Sequence, residues 1–357
     1  MMNHFCLLKD LENYVPQGCD LTADQVGREY WLKHFEEGFA RAMELAAAQY
    51  GREARKRIDA AGKEFTGTVR KLREEPGGLL GGKLSVLELD RLRERVLREH
   101  GLHDPYANIK SRANTSAITL YPQVVRKLHA MADDDKWLHL IECVFAGNLF
   151  DLGSMTGVHL ADNPAEFLSV VEGTKPRPWL VDDYDRLAKD LLSPPPLKWG
   201  KAVVFIDNAG PDFVLGVMPM VRELALYGTK IVLAANEGPA LNDMTVDETI
   251  DVLERLAVED FDLSALVRAG MFEVVSSGSR IPLLDLGNVS EELNEAAADA
   301  ELVILEGMGR AVETNFDAAF KVDGLNLALI KNSEVAGRIG GEVYDCVCRY
   351  VPADTRS

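Results

Sequence analysis

Four short apolar runs in the second half of the chain each stop on a residue able to hold a metal or meet a phosphate. Ala202–Ile206 (AVVFI) runs into Asp207-Asn208, and Ile231–Ala235 (IVLAA) runs into Asn236, with Asn242-Asp243 shortly after. Leu302–Leu305 (LVIL) runs into Glu306, and Leu325–Ile330 (LNLALI) runs into Lys331. Runs of Val, Ile, Leu and Ala without polar alternation are the pattern of strands buried on both faces, as in parallel sheets. Helix-length stretches separate them, which predicts an α/β arrangement. In such sheets ligands lie just beyond the carboxyl ends of the strands. The chain therefore delivers carboxylates, amides and a lysine to one edge, a site for a divalent cation and an anion.

Upstream, residues 20–135 carry helical periodicity almost throughout. Gln25–Tyr50 is a long amphipathic stretch ending near Gly51, and Arg52–Glu75 continues until Pro76-Gly77-Gly78 breaks it. Ser85–His100 has a Leu/Val stripe at helical spacing and closes on Gly101. Lys136–Leu149 is apolar on most faces and predicts a core helix. Prolines at 176, 178 and 194–196 then interrupt the pattern. We expect a helical N-terminal region over 1–190 and an αβα unit over 200–357. Within that unit Phe213–Tyr227 reads as a helix, Thr245-x-x-Glu248 as a capping box, and Phe272–Val275 as a strand. Ser290–Ala300 is predicted helical, and Glu342–Tyr350 a final antiparallel strand. The expected fold is a three-layer αβα sandwich with a mostly parallel sheet, preceded by an all-helical N-terminal region.

Charge and composition narrow the function classes. Fifty-seven acidic against 39 basic residues give a formal charge of −18, which excludes nucleic acid as the main partner. No apolar run approaches the roughly 20 residues of a membrane span. The N-terminal MMNHFCLLKDLENY lacks the basic stretch and cleavage site of a signal peptide. Five cysteines (Cys6, Cys19, Cys143, Cys346, Cys348) form no CxxC pair, as expected of reduced thiols in a cytoplasm.

No histidine lies beyond His159, so a site at the strand ends must use oxygen ligands. Asp207, the Asn208 amide and Asp243 suit one hard or borderline divalent ion, Mg²⁺ or Mn²⁺, with Co²⁺ or Ni²⁺ able to substitute. Each aspartate alone also fits a helix cap; two neighbouring strand ends of Asp-Asn and Asn-Asp type favour the metal. For the phosphate, Lys331 and Arg310 supply cations, and Ser277, Gly278 and Ser279 form a small-residue turn with amides to offer. There is no GxxxxGK[ST] or GxGxxG loop, no DxD after a strand and no GxSxG elbow.

Taken together, the stretches AGNLFDLGS (146–154), RPWLVDD (177–183), VFIDNAGPDFVLGVMPMVRELALYGTKIVLAANEGPALNDMT (204–245), LVILEGMGR with ETN following (302–315) and IKN (330–332) resemble the metal-dependent damage-control phosphatases. The EGMGR string resembles the branch that includes 4′-phosphopantetheine phosphatases. The resemblance implies a divalent metal on Asp207, Asn208 and Asp243, and that Asn148 and Asp151 reach the same site from the helical half. It implies a phosphomonoesterase that attacks with metal-activated water on small phosphorylated metabolites, 4′-phosphopantetheine or its oxidised forms, with sugar phosphates as the alternative. Asp212 or Glu306 would orient water or protonate the leaving alkoxide, and a covalent step through Asp207 stays open. Pro211 in DNAGPD departs from the usual small or polar residue there. A phosphometabolite-binding protein without turnover, or a transferase on a Rossmann-like sheet, is the rival from another class; the missing glycine-rich loop counts against the transferase.

Overall fold

The computed structural model describes residues 3–149 and 166–353. Five helices lead: α1 (Gln25–Tyr50), α2 (Arg55–Glu74), α3 (Val86–Glu99), α4 (Ala107–His129) and α5 (Asp133–Leu149). The starts of α1 and α3 are set by short polar side chains that satisfy orphan amides. The Asp24 carboxylate accepts from the Gly27 N–H at 2.9 Å, and the Ser85 hydroxyl accepts from the Glu88 N–H at 3.3 Å. After α6 (Phe167–Glu172), strand β1 (Val181–Asp182) and α7 (Tyr184–Leu191), the chain alternates strand and helix. Strands β2 (Lys201–Phe205), β3 (Lys230–Ala235) and β4 (Phe272–Ser276) are joined through α8 (Met218–Leu226), α9 (Val246–Glu259) and α10 (Phe261–Arg268). Helix α11 (Glu291–Ala297) leads to β5 (Leu302–Glu306), and β6 (Asp323–Leu329), α12 (Ser333–Arg338) and β7 (Cys346–Val351) close the described chain.

Among the described residues the sheet has seven strands in the order β1-β7-β6-β5-β2-β3-β4. Strands β6, β5, β2, β3 and β4 are mutually parallel, and β7 runs antiparallel to β6. Their lack of alternation has a direct cause. Ala202, Val204, Ile231, Leu233, Leu302 and Ile304 pack into one core with α4–α10. Val203, Phe205, Val232, Ala234, Val303 and Leu305 pack into a second core, with α1–α3, α11 and α12. Both faces are covered, so apolar side chains are stabilising at odd and even positions alike. The leading helices divide between the two layers, so helices upstream of 190 and strands downstream of 200 share both cores.

Two local departures from the sequence reading have clear reasons. The stretch expected as one helix from Phe213 opens instead as a π-helical turn, Asp212–Val217, before α8. Pro219, near the start of α8, has no N–H to continue the regular ladder. The final strand begins at Cys346 rather than Glu342. Residues 342–345 form a turn closed by the Asp345 N–H on the Glu342 carbonyl at 3.1 Å, with Tyr344 at φ +70°.

Candidate active site

Because β2, β3, β5 and β6 are parallel neighbours, their carboxyl ends bring Asp207-Asn208, Asn236, Glu306 and Lys331 to one edge. The loop after β3 folds back onto the end of β2. Asn208 and Asp243 form an isolated antiparallel bridge, the Met244 N–H donates to the Asp207 carbonyl at 2.9 Å, and the Ala209 N–H donates to the Asn242 carbonyl at 2.8 Å. That pairing draws Asp243 in beside Asp207. A second π-helical turn, Met308–Glu313, follows β5 as the first follows β2. Such turns are rare and concentrate at functional sites.

At the centre are three buried carboxylates. One oxygen each of Asp207, Asp212 and Glu306 lies within 4.8 Å of the others. Asn148, the penultimate residue of α5, bridges them: its Nδ2 donates to Glu306 Oε1 at 3.2 Å, to Asp212 Oδ2 at 3.3 Å and to Asp207 Oδ2 at 3.5 Å. The Asp207 N–H donates to Glu306 Oε2 at 2.9 Å. The Asn208 amide nitrogen donates at 2.8 Å to both Asp207 Oδ2 and Asp212 Oδ2, while its oxygen accepts from Asn242 at 2.8 Å. Burial raises the Asp212 carboxyl above its ordinary range, with Lys331 pulling the other way. Glu306 is raised well above its ordinary value, first by burial and then by the charge of Asp212, again against Lys331.

Arg310 and Asp243 form the flank of this group. Arg310 is ion-paired with Asp207, and its Nη2 donates to Asp243 Oδ2 at 2.6 Å and to Asn236 Oδ1 at 3.2 Å. Asn236 Nδ2 also donates to Asp243 Oδ2 at 2.9 Å. The Ser277–Ser279 turn is differently employed. Its amides are engaged within the fold, Ser277 on the Ala235 carbonyl, Gly278 on Ser276 Oγ and Ser279 on Ser277 Oγ. It meets the cluster at second hand, since the Ser279 hydroxyl donates to the Ile281 carbonyl that also accepts from Asn236. Lys331 is half-buried and acts on Asp212 and Glu306 through its charge. Asp151 lies outside the described residues.

The donor set suits a hard divalent ion. Asp207, Asp212 and Glu306 can hold one, and two buried oxygens, Asp212 Oδ1 and Asn148 Oδ1, have no hydrogen-bond partner among the described residues. A half-turn of the Asn208 amide, with the matching turn of Asn242, would present its oxygen to the same point. Glycines allow the close approach. A Cβ at Gly307, whose φ is +93°, would meet Asp207 Oδ2, and one at Gly147 would come within 2.9 Å of the Asp212 Cα. Beyond the residues singled out from sequence, the structure adds Asn114, whose Oδ1 accepts from the Gly210 N–H at 2.6 Å and steadies the loop between Asp207 and Asp212. A lone Asn inside a helical pattern gave no signal of that.

The fold and the site define an α/β protein with an oxygen-lined, cation-flanked acidic centre at the carboxyl edge of its sheet. The chain belongs to the damage-control phosphatase ARMT1-like domain family, which it matches over residues 36–347. It is 40% identical to a damage-control phosphatase of Arabidopsis thaliana, over 84% of this chain and 80% of that protein. It is 39% identical to pantothenate kinase 2 of the same plant, over 98% of this chain but 42% of the relative's length. With the 4′-phosphopantetheine phosphatase of Mus musculus it shares 32% identity over 96% of this chain and 48% of that protein. The crystal structure of a DUF89 family protein from Pyrococcus horikoshii shares the fold, with a TM-score of 0.65 at 19% identity, covering 89% of this chain and 96% of that one.

Proposed function

We propose that this chain is a metal-dependent phosphomonoesterase acting on a small phosphorylated metabolite, 4′-phosphopantetheine or an oxidised form of it. The observation that carries the reading is the buried meeting of Asp207, Asp212 and Glu306 beside Asp243, Arg310 and Lys331. Asp207, Asn208 and Asp243 would hold the ion, with Asp212 and Glu306 adjoining it. When bound, the ion supplies Lewis-acid polarisation of the phosphoryl group and a nucleophile at neutral pH. Mn²⁺, Co²⁺, Ni²⁺ and Mg²⁺ all suit such oxygen donors.

The remaining chemistry belongs to the side chains. Phosphoryl transfer needs positioning and charge balance above all. Lys331 and Arg310 would balance charge on the equatorial oxygens, the ion taking over the compensation that Arg310 gives Asp207 and Asp243. Burial raises both Asp212 and Glu306 above the ordinary carboxyl range, which favours their acid forms. One of the pair would protonate the leaving alkoxide, and the other would orient water. Asn148 holds the three carboxylates in register through its single amide nitrogen. Asn236 keeps Asp243 aligned, and the Ser277–Gly278–Ser279 turn fixes the loop behind it. The Asp151 role belongs to the same reading. Five free cysteines fit a reducing compartment such as the cytoplasm, and no helix among the described residues is long and apolar enough to cross a membrane.

The test is phosphate release from p-nitrophenyl phosphate, 4′-phosphopantetheine and a hexose phosphate by metal-stripped protein, restoring one ion at a time. Metal-dependent turnover is expected, with 4′-phosphopantetheine the best substrate. Folded, metal-loaded protein that releases phosphate from none of them would overturn the reading.

A further inference from the structure

A cavity of about 690 Å³ opens between α1, α3 and the loops that carry the acidic centre. Three of its lining residues tie it to that centre. Leu241 directly precedes Asn242-Asp243, Met308 lies two residues after Glu306, and Asn332 directly follows Lys331. Its wall therefore begins within about 8 Å of chain from the carboxylates and cations. Helix α1 adds the buried rings of Trp31 and Phe35. Leu241 sits at φ +48°, a conformation a branched side chain adopts at a cost, and is held there by packing with Ala42, Tyr106, Ile109 and Ala113. Strain of that kind persists where the surrounding fold requires a wall in that place.

Among the described residues, the Trp31 indole N–H and one oxygen of Glu313, both in the wall of this cavity, have no hydrogen-bond partner. Glu313 is 4% exposed, lines the cavity, and its Oε1 has no hydrogen-bond partner among the described residues. The nearby guanidinium of Arg93 is committed to Asp90 at 2.6 Å and Glu94 at 2.8 Å. A buried carboxyl oxygen left unpaired costs stability unless a ligand completes it.

We propose that this cavity is the tail site of the phosphatase: it takes the uncharged, amide-bearing chain of a phosphomonoester whose phosphate lies at Asp207, and Glu313 hydrogen-bonds an amide of that chain. The proposal rests on the phosphatase reading and names the part of the substrate that the acidic centre does not touch. Burial, with the charge of Asp90 adding to it, pushes Glu313 up to about 8, so near neutral pH it is a carboxylic acid carrying one donor and one acceptor. An amide offers the matching acceptor and donor. A carboxylate tail would meet the charge of Asp90, and the apolar surfaces of Trp31, Phe35, Leu241 and Met308 suit the methyl and methylene groups of such a chain. The volume lies within the range that encloses a ligand of drug size.

The experiment uses the metal-loaded full chain with three variants. Glu313→Leu removes the hydrogen-bonding group, and Glu313→Gln keeps a donor and an acceptor. Gly38→Leu fills the cavity from α1, where an added Cβ meets nothing within 4 Å and a helix former replaces glycine. Two quantities are read: the ratio of kcat/KM for 4′-phosphopantetheine over p-nitrophenyl phosphate, and calorimetric binding of pantetheine without its phosphate. Glu313→Leu and Gly38→Leu are expected to lower the ratio and weaken pantetheine binding about tenfold each, and Glu313→Gln to recover most of both. A merely structural Glu313 would lower both substrates together, leave the ratio unmoved and overturn the proposal, as would a Gly38→Leu protein with wild-type ratio and affinity. If the wild type hydrolysed no phosphoester yet bound pantetheine with these variant effects, the tail site would stand and the phosphatase reading would fall.

Discussion

The acidic centre and the cluster around Arg222 are both buried and both rich in carboxylates, yet they solve burial in opposite ways. Arg222, on α8, is 1% exposed, and every polar end of it is engaged. It reaches Asp260 at 2.5 Å, Glu223 at 2.8 Å and Asp262 at 2.8 Å, and Lys136 reaches Glu223 from α5 at 3.5 Å. Burial alone would raise Asp260, but hydrogen bonds from Arg222 and from the Leu263 N–H outweigh it and hold this carboxyl below the usual range. At the acidic centre burial wins, and Asp212 and Glu306 are raised. Asp212 Oδ1 and Asn148 Oδ1 stay unpaired, whereas no such atom occurs among the described residues around Arg222. A cluster that only ties helices together closes its own hydrogen bonds. One that awaits a ligand leaves them open.

The comparison can be broken in several places. The largest effect is expected from Asp243→Ala, which should cut metal-dependent phosphate release on the order of a thousandfold or more, the scale seen when placed charge stabilisation is removed. Arg310 keeps Asp207 as a partner in that variant, so its circular-dichroism melt should stay cooperative. An active, folded Asp243→Ala protein would take Asp243 out of the site. Next comes Arg222→Leu, which strands Asp260 without its cation, leaves Glu223 only Lys136, and should cost about 3–5 kcal/mol in urea unfolding. Asp212→Asn should cost little or stabilise the metal-free protein, because it removes one of three buried carboxylates crowded together. Equal losses in the two would erase the distinction.

A third measurement separates the clusters by what they bind. At a hundred times its dissociation constant Mn²⁺ should add about 2.7 kcal/mol of stability by mass action. The melting temperature should therefore rise for wild type and Arg222→Leu, and stay put for Asp207→Ala. The smallest and most discriminating signal is in pH. Glu306 has its folded-state value raised, so its contribution is complete below about 4.5, its unfolded value, and is lost as pH rises through the folded value. Asp260 is lowered, so its contribution is present above 3.8 and lost as pH falls through the folded value. Each group can tilt stability by at most about 1.4 kcal/mol per pH unit. In metal-free protein Glu306→Gln should flatten the decline on the alkaline side, and Asp260→Asn should act only on the acid side. A Glu306→Gln protein with the wild-type alkaline slope would show that Glu306 is not raised.

Much of the scaffold was legible because it is encoded locally. The bounds of α1, Gln25–Tyr50, follow from an amphipathic run between Asp24 and Gly51. The capping box at Thr245 and Glu248 is present as the spacing predicts, since an N-cap and its third residue meet within one turn. Cys346 and Cys348 share one core while Val347 joins the other, as strand alternation requires. The candidate site was legible only in part. Strand ends pointed to Asp207, Asn208, Asp243, Glu306 and Lys331 as one group, and the parallel sheet brings them to one edge. What Arg310 does there was not readable: it reaches Asp207 and Asp243 only because the π-helical turn after Gly307 aims it back at β2. The Ser277–Ser279 turn spends its amides on its own fold, which composition could not reveal.

What the amino-acid sequence determined by itself was periodicity and punctuation: which stretches are helix or two-faced strand, where they begin, and that strand ends carry metal-capable residues. Those properties depend on neighbours within a turn or two of chain. Tertiary structure alone decided that β5 lies beside β2, that α1–α3 and α4–α5 cover opposite faces, and that Asn148 bonds Glu306 from 158 residues away. The physical reason is that such meetings are chosen by the joint burial of two cores and by the cost of leaving a polar atom unpaired. Neither quantity exists until the whole chain has packed.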